Sequence, residues 1–325
     1  MAAALPVTAA VLTWALTWAF IRILGARNRL EPLGAHSMHA VPIASGAGTV
    51  IIAISVAIFL TLAPEHGGST AVYVAAVAGL LAALSWIDDH HGGLSPAIRL
   101  FAHAVAVAVV LFQLDGNQRI VPALPLAVER VLIGAAWVWL INLYNFMDGI
   151  DGLAGSETIA VSLGYGLVVM AIGATGSSNA LALAMAGATA GYLVWNWHPA
   201  KVMMGDAGSI PLGFLAGWLM IDLALRGYPS AALILPLYFL TDATWTLARR
   251  LLRGEIPWRP HREHAYQRAA LAAGSHAAVV WRVIVANIAL VALAALSVRF
   301  PVIALACSAG VVAILMVHLE RMAKR

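Results

Sequence analysis

Charge is what this chain has least of. Only 10% of its 325 residues are Asp, Glu, Lys or Arg, while 62% are hydrophobic. A soluble domain carries about 25% charged and 45–50% apolar residues. The deficit excludes a water-soluble protein and leaves no room for a large domain outside a bilayer. Cysteine is almost missing as well: Cys307 stands alone, which excludes an intramolecular disulfide and any multi-cysteine metal site. No basic run with interleaved aromatics occurs, so the formal charge of +4 points to membrane loops and not to nucleic acid. The N-terminal Met-Ala-Ala-Ala-Leu-Pro lacks a basic n-region, and no small-residue cleavage site follows. It reads as a retained first span. Fixed-period repeats, low-complexity segments and linkers are also lacking, so residues 1–325 read as one transmembrane domain.

What is present is a series of apolar windows near 4–24, 46–63, 70–87, 98–114, 122–142, 156–174, 179–196, 208–225, 230–248, 278–297 and 302–318. A hydrocarbon core takes about 20 residues per helix. The windows therefore predict an all-α, polytopic integral membrane protein with about 11 transmembrane helices. Alternating the loops between the two sides puts fifteen of the nineteen Lys and Arg on one side. By the positive-inside bias the N-terminus is outside and the C-terminus cytoplasmic.

The acidic and histidine clusters then fall on the cytoplasmic side too, where topology alone gives acids no reason to gather. Asp88-Asp89 ends the third span. Adjacent carboxylates repel and call for a cation, and oxygen donors without a thiol favour Mg²⁺ or Mn²⁺ over zinc; a solvated helix end is the plain structural alternative. Asn142-x-x-Asn145-Phe-Met-Asp148-Gly-Ile-Asp151-Gly152 joins tight turns to two carboxylates three apart, or forms a simple turn between helices. Pro199-Ala-Lys201-Val-Met-Met-Gly205-Asp206-Ala-Gly-Ser209 runs into a helix N-terminus suited to phosphate, with capping by Asp206 or Ser209 as the alternative. His261-x-x-His264 could share one helical face. Without further Cys or His at zinc spacing nearby, it suits phosphate contact or proton transfer better than zinc, and a basic lipid-facing helix is the alternative. Asp242, costly inside a span unless paired, is expected to face the site. Glu129 and Arg130 read as a structural pair or as interface residues, and His103 and His318 as core histidines.

Together these motifs resemble the polyprenyl-phosphate N-acetylhexosamine-1-phosphate transferases, of glycosyltransferase family 4 type and related to phospho-N-acetylmuramoyl-pentapeptide transferase. The matching residues are Asp88-Asp89 with Leu94-Ser-Pro96-x-x-Arg99-Leu100, Asn142 to Gly155, Pro199 to Ser209, and His261-x-x-His264-x-Tyr266-Gln267-Arg268. The last form, with Ser37-x-His39-x-x-Pro42, looks closest to the bacterial O-antigen-initiating branch. Two departures stand out. Ser45-Gly46-Ala47-Gly48 replaces the usual Arg-Gly-Gly-Gly, and Met203 replaces a Phe that lies against the uracil ring in relatives.

The resemblance implies transfer of N-acetylhexosamine-1-phosphate from a UDP-N-acetylhexosamine to undecaprenyl phosphate, with UMP released. It implies a multi-pass protein of the bacterial inner membrane, with its site facing the cytoplasm and a homodimer as the assembly. Asp206 and Asp88 would hold Mg²⁺ (Mn²⁺ as the alternative). Asp88 would prepare the lipid phosphate, with Asp89 assisting. Asp148 would support that cluster, and Asp151 would read the uracil edge. His261, His264 and Arg268 would neutralise the phosphates, and Asn145, Lys201 and His39 complete the substrate contacts. Transfer of a muramoyl-pentapeptide is the alternative within the enzyme class. A proton-coupled transporter is the alternative outside it, predicting midplane charges and paired broken helices.

Overall fold

The computed structural model describes residues 4–26, 38, 43–66, 69–91, 93–256, 259 and 261–324. His39 lies outside them. In chain order the described helices are α1 (Ala4–Ala26), α2 (Gly48–His66), α3 (Ser69–His91), α4 (Pro96–Leu111), α5 (Leu126–Phe146), α6 (Leu153–Ala171) and α7 (Ser177–Asn196). They continue with α8 (Asp206–Leu225), α9 (Pro229–Ile234), α10 (Leu237–Leu252), α11 (Ala265–Ala273), α12 (His276–Leu296) and α13 (Pro301–Met322). Among the described residues the only β pairing is one isolated parallel bridge, Ala44 with Val202. The protein is an all-α, polytopic membrane protein. Among the described residues seven helices are long and apolar enough to cross a membrane: α1, α3, α5, α6, α8, α12 and α13. Gly48–Leu62 in α2 and α4 are shorter apolar helices.

The expected ninth span is not continuous. Leu235-Pro236 separates α9 from α10, because proline lacks the amide a helix interior needs and its ring clashes with the preceding turn. Elsewhere local chemistry sets the ends. Ser95 caps α4, its Oγ accepting from Ile98 N at 3.4 Å, with Pro96 in the first turn, a favoured place for proline. Ser275 caps α12 at Ala278 N, 3.3 Å. The fifth helix begins only at Leu126, after Pro122 and Pro125.

The centre of the bundle is α8, apolar and buried nearly all round, as a helix enclosed by others must be. It packs on α5, α3 and α2. Lipid is as apolar as leucine, so helices associate in a bilayer by close packing at small residues. At Gly213 a Cβ would lie 2.9 Å from Ile141 Cα, and at Gly217 2.2 Å from the Trp137 ring. Gly187 and Gly191 do the same for α1, whose Pro6 and Ala10 carbonyl oxygens sit 2.1 Å from where each Cβ would be. Where α2 and α8 begin, a Cβ on Gly48 would fall 2.3 Å from Gly208 Cα. Only glycine at both positions allows that crossing, and it fixes where Asp206 stands.

Two expectations about lesser residues are corrected. Glu129 bonds Arg119 and accepts from Val121 N at 2.8 Å, while Arg130 donates to the carbonyls of Asp115 and Gln118 at 2.9 Å. They are therefore not a pair; the turn before α5 supplies nearer partners to each. His318 is exposed and accepts from Arg282 Nε at 2.8 Å, so it is no core residue. His103 is buried as expected.

Candidate active site

The four clusters meet at one end of the bundle. The end of α3, the start of α4 and the start of α8 are joined by Arg99. Its Nη2 lies 2.7 Å from Asp88 Oδ2 and its Nη1 2.9 Å from Asp206 Oδ2. The Asp88 side chain is 4% exposed, Asp206 26% and Arg99 33%, so this is a half-open polar recess. Leu94 N donates to Asp88 Oδ1. Asp206 is the first residue of α8, following Gly205 at φ +71°, a backbone conformation natural to glycine. The loop before it is held by Met203 N to Ala44 O (2.8 Å) and Gly48 N to Met204 O (3.0 Å). Ser209 Oγ donates to Asn145 Oδ1 at 2.7 Å, tying the end of α5 to the start of α8. Asp89 is exposed beside Asp88, and Asp148 is half-buried in the turn after α5.

Arg99 belongs to this site although only its motif was quoted above, without a role. A readable signal existed. A cation in the first turn of a helix opposes the helix dipole and calls for an anionic partner, and two are present here.

Asp151 is enclosed. Its side chain is 2% exposed, and Oδ2 takes contacts from His198 Nδ1 (2.6 Å), Ala200 N (3.1 Å) and His276 Nδ1 (3.2 Å). Two imidazoles and an amide engage this carboxylate at Oδ2, so it is held in place. The turn is pinned by Gly152 N to Asn196 Oδ1 and Asn196 Nδ2 to Val202 O, each 2.9 Å. His198 and His276 were missed. They come from different helix ends, and no local pattern announces them.

The histidine motif is not a helical face. His261 lies in the loop, and His264 is the N-cap of α11, with its N donating to Gln267 Oε1 at 3.3 Å. The two rings still meet, 4.9 Å apart. Burial, the adjacent His264 and Arg250 push the His261 pKa down to about 4. His261 is thus neutral at pH 7 in this structure. Glu263 beside it is held below the usual carboxylate range; burial opposes this, but Arg253 and Arg250 prevail.

Asp242 does not open into the recess either. Its buried carboxylate accepts from Ala265 N (2.9 Å), Tyr266 N (3.2 Å) and Tyr238 O–H (3.1 Å). It anchors the N-terminus of α11, where an anion is stabilised. Tyr266 in turn donates to Phe146 O at 2.9 Å, docking α11 on the end of α5. Arg268 donates to Glu320 on α13. Lys201 is exposed, its Nζ 5.2 Å over the Trp195 ring.

Chemically, the recess can hold a cation between two carboxylates of different helices, with basic residues around it. Two cavities lie elsewhere: about 400 Å³ beside Asp222 and Arg226 at the opposite end of α8, and about 470 Å³ between α12 and α13.

Residues 71–224 match the family model described as glycosyl transferase family 4. That span holds Asp88, Arg99, Asn145, Asp148, Asp151, Lys201 and Asp206, and excludes the His261–Arg268 segment. Over 80 residues, 25% of each chain, the sequence is 46% identical to the phospho-N-acetylmuramoyl-pentapeptide-transferase of Moorella thermoacetica, so that similarity spans a quarter of the relative's length. Over 251 residues it is 26% identical to the probable undecaprenyl-phosphate N-acetylglucosaminyl 1-phosphate transferase of Bacillus subtilis, covering 66% of this chain and 67% of that one. A phospho-N-acetylmuramoyl-pentapeptide-transferase of Streptococcus thermophilus is 25% identical over 251 residues, 70% of this chain and 72% of the relative.

Proposed function

We propose, from the match of residues 71–224 to the glycosyl transferase family 4 model, that the chain transfers an N-acetylhexosamine-1-phosphate from a UDP-sugar to undecaprenyl phosphate, releasing UMP. The observation that carries the reading is Asp88 and Asp206, from two helices, brought onto one cation by Arg99. The reaction brings one phosphate against another, so charge must be neutralised and the acceptor aligned.

The donor set fits Mg²⁺. Two carboxylate oxygens from separate helix ends leave the remaining positions to water and phosphate, as this ion prefers. Asp206 and Asp88 are the residues that would hold it; when bound it supplies positive charge to the donor diphosphate. Asp88 orients the lipid phosphate, with exposed Asp89 assisting and Asp148 supporting the cluster. Asn145 and Lys201 line the donor's approach, and His39 belongs to the same set. Arg268, fixed by Glu320, supplies charge, while His261 and His264 contribute hydrogen bonds. A monoester is mostly dianionic at pH 7, so no strong base is needed to make the acceptor nucleophilic. Asp151, held at the turn between α5 and α6, is proposed to read the uracil edge, as the resemblance implies. The fifteen-to-four division of Lys and Arg supports a cytoplasmic site in a bacterial inner membrane, with the N-terminus outside. The homodimer implied by the resemblance is part of the proposal.

A second reading is favoured by the names of the Moorella and Streptococcus relatives, namely transfer of a muramoyl-pentapeptide phosphate. The His261-x-x-His264-x-Tyr266-Gln267-Arg268 form supports the hexosamine reading. The test is UMP release in detergent with undecaprenyl phosphate and Mg²⁺, across UDP-GlcNAc, UDP-GalNAc and UDP-N-acetylmuramoyl-pentapeptide. Lipid-dependent release from a hexosamine donor, lost in Asp206→Asn, is the expected result. Release from the pentapeptide donor alone would replace it with the second reading, and none from any donor would end both.

A further inference from the structure

The outer face of α12 and α13 carries a cavity apart from the Asp88–Asp206 recess. It is a lateral groove of about 470 Å³ between the two helices, lined by Ala286, Leu315, Val285 and Ile314 and closed at one end by Arg282 and His318. Ala286 and Leu315 form its buried floor, while Val285 and Ile314 stand outward, 66% and 73% exposed. We propose that this groove binds one anionic phospholipid, with an acyl chain along it and the headgroup phosphate on Arg282 and His318. Binding there does not depend on the sugar donor or on the transfer reaction proposed above.

The cation selects the headgroup. Arg282 Nε donates to His318 Nε2 at 2.8 Å, and Nη1 donates to the Ala278 carbonyl. Neither partner is an anion. Helix α12 has no acidic residue, and Glu320, the one acid of α13, is engaged by Arg268 and Arg249. A guanidinium has five N–H donors, and Nη2 meets no described residue, so it remains for a phosphate oxygen. Because His318 Nε2 accepts, the ring proton is on Nδ1, which is a second donor. Arg321 and Lys324, exposed at the end of α13, add positive charge that favours an anionic over a zwitterionic lipid.

The depth of the charge fits as well. Helix α12 begins at the recess end of the bundle, where His276 meets Asp151, and Arg282 stands about 9 Å along its axis. An arginine that faces lipid is costly unless its head reaches the interface. The bond to Ala278, one turn nearer the helix start, carries the guanidinium toward headgroup level. Trp281 beside it, 58% exposed, is the residue type that gathers at that level. A lipid whose phosphate rests on Arg282 is not presented to the recess, which α3, α4 and α8 build. The occupant is therefore a resident phospholipid and not the acceptor.

The experiment takes the full-length protein, delipidated in detergent, and follows lipid binding by native mass spectrometry with phosphatidylglycerol or phosphatidylcholine of the same acyl chains. One phosphatidylglycerol should bind, and phosphatidylcholine at least tenfold more weakly. Arg282→Gln should weaken phosphatidylglycerol about tenfold and leave phosphatidylcholine unchanged, whereas Ala289→Phe, which fills the groove, should weaken both. Equal binding of the two headgroups, or phosphatidylglycerol affinity unaltered in Arg282→Gln, would overturn the site. So would Arg282-dependent binding of undecaprenyl phosphate in preference to phosphatidylglycerol, or a protein dimer that Ala289→Phe dissociates in the absence of lipid. Should the melting curve show that Arg282→Gln does not fold, His318→Phe decides, with a severalfold loss of phosphatidylglycerol affinity expected and no loss overturning the site.

Discussion

Arg99 occupies the place between two carboxylates that a divalent cation would also favour, and this makes Arg99→Met an informative perturbation. Methionine keeps the unbranched apolar stem and removes only the guanidinium. Exposed ion pairs contribute roughly 0.2–1 kcal/mol, while breaking a buried pair costs about 3–5 kcal/mol. Asp88 is nearly enclosed, Asp206 is a quarter exposed and Arg99 a third exposed. Screening therefore pulls the loss down to about 2 kcal/mol, most of it from stranding Asp88. For a chain of this length that is a fall of roughly 3 °C in Tm, measured in chelator so that no divalent ion compensates. Adding Mg²⁺ should restore the variant by more than it stabilises the unaltered protein, where ion and guanidinium contend for the same oxygens. Saturation at a hundredfold above Kd stabilises by about 2.7 kcal/mol, enough to cover the deficit. Equal melting of variant and unaltered protein in chelator, or an equal Mg²⁺ shift in both, would refute the reasoning.

Two further predictions rest on other parts of the site. In Gly208→Ala the new Cβ would lie 2.5 Å from Gly48 Cα, so α2 and α8 must part, at about 1–3 kcal/mol. Because Asp206 sits two residues away, UMP release should fall at least tenfold, while Gly79→Ala, which meets nothing within 4 Å, keeps full activity; a fully active Gly208→Ala would show that the crossing does not position the site. His261 predicts a pH dependence. Its folded pKa of about 4 lies below the ordinary histidine value of 6.5, so the unfolded chain binds this proton first. The stability it contributes is complete above pH 6.5 and drains away as pH falls towards 4. His261→Gln should lose less Tm between pH 7 and pH 5 than the unaltered protein, and parallel losses would contradict this.

Much of this was readable in the sequence, for a physical reason. A bilayer forces each apolar window of about 20 residues into a helix, so helices and their order follow from hydropathy. Alternation of sides then groups Asp88, Asp148, Asp206 and His261 at one end. Pro236 was less legible because leucines flank it, and apolarity alone does not report a break. Pairing was less legible still. Asp242 in an apolar window announces that it needs a partner, but the partner is the backbone of α11, whose position depends on Tyr266 reaching Phe146. Asp151 announces a polar turn, but which groups close on it depends on how α7 and α12 end against that turn. Polar groups at a bundle's end must find partners inside the protein, so a sequence shows that such groups converge. Which oxygen meets which nitrogen is settled by crossings such as Gly48 on Gly208, where the relevant property is the side chain that is not there.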